Sequence, residues 1–165
     1  MTATLSPWEV RSPSIAAMLN PPLVSLLLSA AAWNHQRASN VGLPFEYSFL
    51  VVPLVLHKGT RRELPANTNS HITKWIAERP VIQAGFPLRA KSLAPFVREG
   101  TRHGLRVGQL RLVEGGRLSG STARTATLNQ GSELAELVRS ASLVGRWLAK
   151  TERPSTTFAL FGVTP

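Results

Sequence analysis

Arg106-Val107-Gly108-Gln109-Leu110-Arg111-Leu112-Val113-Glu114-Gly115-Gly116-Arg117-Leu118 is the stretch on which the fold turns. Apolar and polar residues alternate roughly from Arg106 to Val113, the period of a strand. Glu114-Gly115-Gly116 then reads as a turn, because glycine accepts the positive φ that a tight hairpin needs. Arg117-Leu118 leads a returning strand. The stretch therefore predicts a basic β-hairpin over 106–118.

Upstream of the hairpin the period is helical. Leu88, Leu93, Phe96 and Val97 mark the apolar side of a helix from Phe86 to about His103. Pro95 suggests a kink or restart there, and Gly104 ends the segment. Gly100 sits inside it at a cost of about 1 kcal/mol relative to alanine. It either bends the helix or lets another element approach closely. Asn67 or Asn69 is placed to cap an earlier helix, Ser70 to Arg79, with Ile72, Trp75 and Ile76 on one face and Pro80 as its stop. Glu46 to Lys58 is a nearly unbroken apolar run containing Pro53. A buried strand and a kinked helix both fit it; its length favours the helix. Helices followed by a basic hairpin give the order of a winged-helix unit, assigned to 43–120.

The flanks are helical as well. Residues 1–14 read as an extended arm with Trp8 as an anchor. The N-terminal helical part, 15–42, begins with a short helix capped by Ser14. Asn20-Pro21 then places a cap before a proline at the first helical position. Leu23, Leu26, Leu27, Ala30 and Ala31 carry that helix to about Arg37, and Gly42 is a natural left-handed residue after it. Residues 119–131, rich in Ser, Thr and Gly, read as a flexible loop. Ser132 opens a C-terminal helix to about Lys150, and Thr156 to Val163 reads as a short strand, both within 132–165. The fold class expected is mainly α (α+β), in a single domain over 1–165.

Composition bounds the chemistry. The 165 residues hold 19 Lys and Arg against 9 acids, a net charge of +10, with 43% apolar residues. All the acids are glutamate, and cysteine is absent. Disulfides, thiolate nucleophiles, cysteine metal sites and Asp-based triads are thereby excluded. The four histidines, His35, His57, His71 and His103, include no pair three or four residues apart, so no helical metal face forms locally. His57 reads as a helix-end histidine facing terminal carbonyls. Gly115 to Thr122 imitates a phosphate loop but lacks its lysine. No catalytic residue, metal or cofactor is expected, and an enzyme is disfavoured. The apolar runs 23–32 and 49–56 fall short of the roughly 18–20 residues that cross a bilayer. Glu9 offsets Arg11 before the first run, unlike a signal peptide. A cytoplasmic protein is expected.

The charge is regional. Residues 1–57 are neutral, whereas residues 89–124 hold seven Arg and Lys91 against Glu99 and Glu114, net +6. Arg89, Lys91, Arg98, Arg102, Arg106, Arg111 and Arg117 are placed to contact DNA phosphates or an acidic partner. Winged helices also serve as protein-docking modules, and arginine is favoured at such interfaces, so both partners stay open. A stand-alone winged-helix DNA-binding regulator is the alternative to an adaptor.

The words along the chain also resemble a family. Asn20-Pro21 before a Leu-rich helix, Gly42-Leu43-Pro44, and Leu50 to Lys58 with Pro53 and His57-Lys58 lead into Thr60-Arg61 and Leu64-Pro65. Trp75, Phe86, Arg89-Ala90, Leu93, Pro95, Arg98-Glu99, Gly145-Arg146-Trp147 and Gly162 to Pro165 continue the pattern. Together they resemble the middle component of bacterial three-component ABC systems, from about Glu9 to Pro165. The resemblance implies a non-enzymatic adaptor in a biological-conflict or antiphage-defence operon. It would link an SMC/Rad50-like ABC ATPase to an effector-bearing third component, with double-stranded DNA as a possible contact. Asn20, Pro21, Pro53, His57, Lys58, Thr60, Arg61, Trp75, Arg146 and Trp147 would then be structural or partner-docking positions.

Overall fold

The computed structural model describes residues 5–121, 128–151 and 153–164, and the side chain of Trp8 lies outside the description. The expected loop at 119–131 falls largely on residues 122–127, also outside it, while Ser119 and Gly120 are strand.

Two consecutive helices start with the same device. Ser12 caps α1 (Pro13–Met18) and Asn20 caps α2 (Pro21–Ser39), each just before a proline. Asn20 Oδ1 accepts from the Leu23 amide at 2.7 Å. The cap of α1 is Ser12 rather than Ser14, because Pro13 takes the first helical position and the cap must precede it. At the other end of α2 the left-handed residue is Asn40, with φ 62°, not Gly42. Gly42 is needed for a different reason. A Cβ there would stand 2.9 Å from the Leu118 carbonyl oxygen, where β1 (Leu43–Pro44) meets the hairpin. Buried His35 closes this corner through Nδ1, 3.1 Å from the Val41 carbonyl. Burial pushes its pKa below the ordinary value.

The apolar run 46–58 resolves into a helix, α3 (Ser48–Leu56), with Pro53 inside. His57 is extended, with ψ 108°, and begins α4 (Lys58–Arg62). α5 (Ile72–Ala77) is shorter than expected. Its N-cap is His71, since Asn67 instead accepts from the Asn69 amide in a turn. Pro80 ends one helix and starts the next. α6 (Pro80–Arg106) begins six residues before the expected start and runs for 27 residues through Pro87 and Pro95 without a break. Both prolines stand on partly exposed turns, where water can serve the carbonyls they leave unbonded.

The hairpin forms from β2 (Leu110–Val113) and β3 (Arg117–Gly120) around Gly115 and Gly116, at φ +73° and +68°. It starts four residues later than predicted because α6 continues to Arg106. The short β1 joins it, giving an antiparallel sheet in the order β1-β3-β2. α7 (Glu133–Leu148) is capped by Ser132. The closing segment is helix α8 (Pro154–Leu160), not a strand. Pro154 suits a helix start, and Thr157, Phe158 and Phe161 are buried at a helical spacing.

α2 runs through the middle and touches α3, α6, α7 and the sheet. The stretch Pro13–Ser39 is long and apolar enough to cross a membrane by length and composition. Here the fold itself uses that apolar surface, with Val24, Leu27, Leu28, Ala30, Ala31 and Ala32 all 0–1% exposed. Two glycines bring neighbours directly onto its backbone. Gly120 of β3 lies against the Ser29 carbonyl, and Gly145 of α7 against the Ala31 carbonyl. Gly100 of α6 likewise sits on Val24, so its role is close packing. The Ser29 hydroxyl donates toward the Gln109 and Ser121 carbonyls at 3.0 Å, tying both open ends of the hairpin to α2.

Gly145→Ala is expected to destabilise the protein by about 1–3 kcal/mol or more, because the clash is with backbone and cannot be relieved by a rotamer change. Gly131→Ala, whose Cβ would meet nothing nearer than 3.8 Å, is expected to be nearly neutral. Urea denaturation of the two variants checks the contrast; equal stabilities would refute the close approach.

Candidate partner and nucleic-acid interface

The helical phase of α6 sorts the basic residues. Lys91, Arg98, Arg102 and Arg106 are spaced by seven, four and four, which places them within one arc at about 100° per residue. All four are exposed. Arg89 is nine residues before Arg98, two and a half turns, and so faces the other way. It is half-buried, with Nη1 donating to Thr60 Oγ1 at 3.3 Å. Arg111 is exposed on edge strand β2. Arg117 is partly buried and donates to the Gly42 carbonyl at 3.3 Å. The seven candidate contacts therefore divide into an outward set of five and an inward pair, Arg89 and Arg117.

Glu99 lies beside the arc but adds little free negative charge to it. Arg11 donates to both its carboxylate oxygens at 2.7 Å. The pair also fixes the N-terminal arm to α6. Arg102 and Arg106, with His103 and Pro21, border a cleft of about 360 Å³. The first two residues of α2 are prolines and the Leu23 amide is capped, so cationic side chains, not free helix amides, give this cleft its character.

The motif His57-Lys58-Gly59-Thr60-Arg61 builds a joint. His57 Nδ1 accepts from the Thr60 amide at 3.1 Å, so the ring caps the start of α4 instead of serving the carbonyl end of α3. This places the ring proton on Nε2. Burial, followed by the charges of Arg89 and Arg61, lowers the His57 pKa and favours this neutral form. Arg61 reaches inward, its side chain only 2% exposed. It donates to the Val55 carbonyl at 2.8 Å and to Glu136 Oε1 at 2.8 Å, with Glu133 at 3.3 Å. The planar guanidinium thus joins the end of α3 to the start of α7. Lys58 stays exposed.

The remaining motif positions also make contacts within the fold. Pro53 is buried in α3. Arg146 donates to Asn34 Oδ1 at 2.9 Å. Trp75 and Trp147 meet edge to face at 5.2 Å. Their indole N–H groups donate to the Glu63 and Ser70 carbonyls, at 2.7 and 2.6 Å, and hold the 63–70 link. Among the described residues, no group of three or more His or Glu is arranged to hold a metal.

A feature that spans distant segments escaped the sequence reading. Phe45 and Phe49, Pro87, Ala90 and Ala94 of α6, and Phe158 and Val163 line an apolar groove of about 410 Å³, with Lys91 and Arg98 on its border. The signal was present only in part, as the small residues at 87, 90 and 94 on one side of α6.

The model of the family described as ABC-three component (ABC-3C) system Middle Component 3 matches residues 8–165. The chain belongs to this family. No curated protein and no solved structure matches it. In this Middle Component 3 protein the His57 to Arg61 motif is the joint of the fold, and Lys91, Arg98, Arg102 and Arg106 form an exposed basic arc on α6.

In Arg61→Ala the carbonyls of Val55, at 2.8 Å, and of Leu56, at 3.4 Å, lose their donor, and a loss of about 2–3 kcal/mol is expected near neutral pH. Arg61→Lys should not restore it, because a point charge cannot span the same acceptors. The hydrogen bond from Arg61 also holds Glu136 below its ordinary pKa of 4.5. The folded state then binds this proton less readily than the unfolded state. The associated stability is complete above about pH 4.5 and is lost as the pH falls through the folded value. Urea denaturation from about pH 3 to 7 checks this: Arg61→Ala should flatten the Glu136 part of the profile, and an unchanged profile would show that carboxylate to be free.

Proposed function

We propose that the protein is a non-enzymatic adaptor. It links an SMC/Rad50-like ABC ATPase to an effector-bearing component of its three-component system, in the cytoplasm and in the service of antiphage defence. The observation that carries this reading is membership of a middle-component family over residues 8–165 in a chain whose signature residues hold the fold together. Such a chain works through its surfaces.

The second part of the proposal is a winged-helix-like unit that approaches duplex DNA. Its support is the sheet order β1-β3-β2, with the hairpin directly following the basic helix α6. Arg102 and Arg106 of α6 and Arg111 of β2 are the phosphate contacts. Each phosphate neutralised releases counterions, so affinity depends steeply on salt.

Co-expression with the neighbouring ABC ATPase and effector genes should give a complex that co-elutes in gel filtration; wild-type protein eluting alone would sink the adaptor reading. For DNA, the isolated chain should bind a random-sequence duplex at low salt without sequence preference. Arg102→Glu/Arg106→Glu should weaken binding and reduce the slope of log K against log salt by roughly 2. An unchanged slope would remove DNA from the proposal, and strong sequence preference would favour a stand-alone regulator.

A further inference from the structure

The apolar groove on α6 is built for more than a stray contact. Pro87, Ala90 and Ala94 form a floor of small residues at helical spacing. Phe45 and Phe49, meeting edge to face at 5.6 Å, form one wall, and Phe158 with Gly162 and Val163 forms the other. Its volume of about 410 Å³ falls in the range, about 300–1,000 Å³, of sites that enclose a ligand or an anchoring side chain. Phe45, on its wall, is still 37% exposed. Apolar surface of this kind marks an interaction site.

The border of the groove has a charge pattern. Lys91 and Arg98 stand on it, with the Arg98 guanidinium 5.7 Å from the Phe49 ring. Glu46 is the acidic residue on the border. Among the described residues, none of the three lies within ion-pair distance of an opposite charge. Lys91 and Arg98 are seven residues apart on one helix face, about 10 Å along the axis. A helix lying alongside α6 presents its own i and i+7 side chains at the same interval.

We infer that this groove docks an amphipathic, acidic helical segment of another protein. Its apolar anchors, at i, i+4 and i+7, enter between the phenylalanines, and carboxylates two turns apart meet Lys91 and Arg98. The inference rests on the adaptor reading for the origin of that segment in another component of the system. It also divides α6: the N-terminal half of the basic arc serves a protein segment, and Arg102 and Arg106 serve the other surface.

The test is a selection of roughly 16-residue peptides, displayed on phage, against the full chain, followed by fluorescence anisotropy with the enriched peptides. The expected peptides carry Asp or Glu seven apart beside apolar residues at helical spacing. Their affinity should fall about tenfold or more against Ala94→Trp, which fills the groove, and against Lys91→Glu/Arg98→Glu, but not against Arg102→Glu/Arg106→Glu. Circular dichroism melting checks that each variant is folded, and if Ala94→Trp is not, the charge reversal decides alone. Enrichment of basic peptides, equal binding to the groove variants, or no enrichment would overturn the inference. So would a dimer in sedimentation that Ala94→Trp dissociates, since the occupant would then be a second copy. The selection uses neither ATPase nor effector, so its failure is distinct from failure of the co-elution test.

Discussion

The structure depends on how closely other elements approach the backbone of α2. An ordinary helix contact keeps axes about 8–10 Å apart because side chains interdigitate between them. Here Gly145 brings α7 onto the Ala31 carbonyl and Gly120 brings β3 onto the Ser29 carbonyl. At each point a single Cβ would force the layers apart. The consequence reaches the hairpin, because Ser29 can hold the Gln109 and Ser121 carbonyls only when β3 lies this close. The position of the sheet relative to α6 is thus a result of the α2 contacts, and not of the short loop at Val107–Gln109 alone.

A second constraint acts at the other end of the molecule. Arg61 satisfies carbonyls where Pro53-bearing α3 ends, and it carries the link on to Glu136 of α7. Thr60 and His57 complete the turn and meet Arg89 from α6. Three elements distant in sequence therefore share one polar cluster. Removal of Arg61 from the cluster is costly mainly at the buried Val55 carbonyl, which has no water to replace its donor, and less at Glu133 and Glu136, which are partly exposed. The polar groups of the His57 to Arg61 motif are thus largely engaged within the fold.

What was legible in the sequence was local. The Asn20-Pro21 start, the Ser132 cap and the Gly115-Gly116 turn each depend on residues a few positions apart, and each was read directly. The misreadings also have local causes. Residues 156–163 are too short for a period of two to be told from one of 3.6, and Pro154 was the better signal. Pro95 suggested a break where α6 continues, because a proline on a partly exposed turn does not bury the carbonyl it leaves unbonded. What was not legible was distant. No pattern within 88 residues links Arg11 to Glu99, and none links Gly145 to Ala31. The basic set was visible, and helical phase alone would have set Arg89 apart from it. The groove draws on residues 45–49, 87–98 and 158–164, so it exists only once the chain is folded.

The proposed adaptor role requires surfaces that can be occupied together. α6 supplies the separation: from Lys91 to Arg106 is fifteen residues of one continuous helix, about 22 Å along its axis. That exceeds the Debye length of about 8 Å at physiological salt. Charge near Arg106 is then largely screened from Lys91, whereas Arg98 and Arg102, about 6 Å apart along the axis, lie within one Debye length of each other, so ligands proposed for the two halves would repel only where they meet. A bent or broken helix would not hold the 22 Å interval, and the persistence of α6 through Pro95 is what preserves it. The same helix is anchored along its length, by Gly100 on Val24, by Arg11 on Glu99 and by Phe86 packed at a tilt against Phe161. Its spacing is consequently a fixed property of the fold, and not one each partner has to impose.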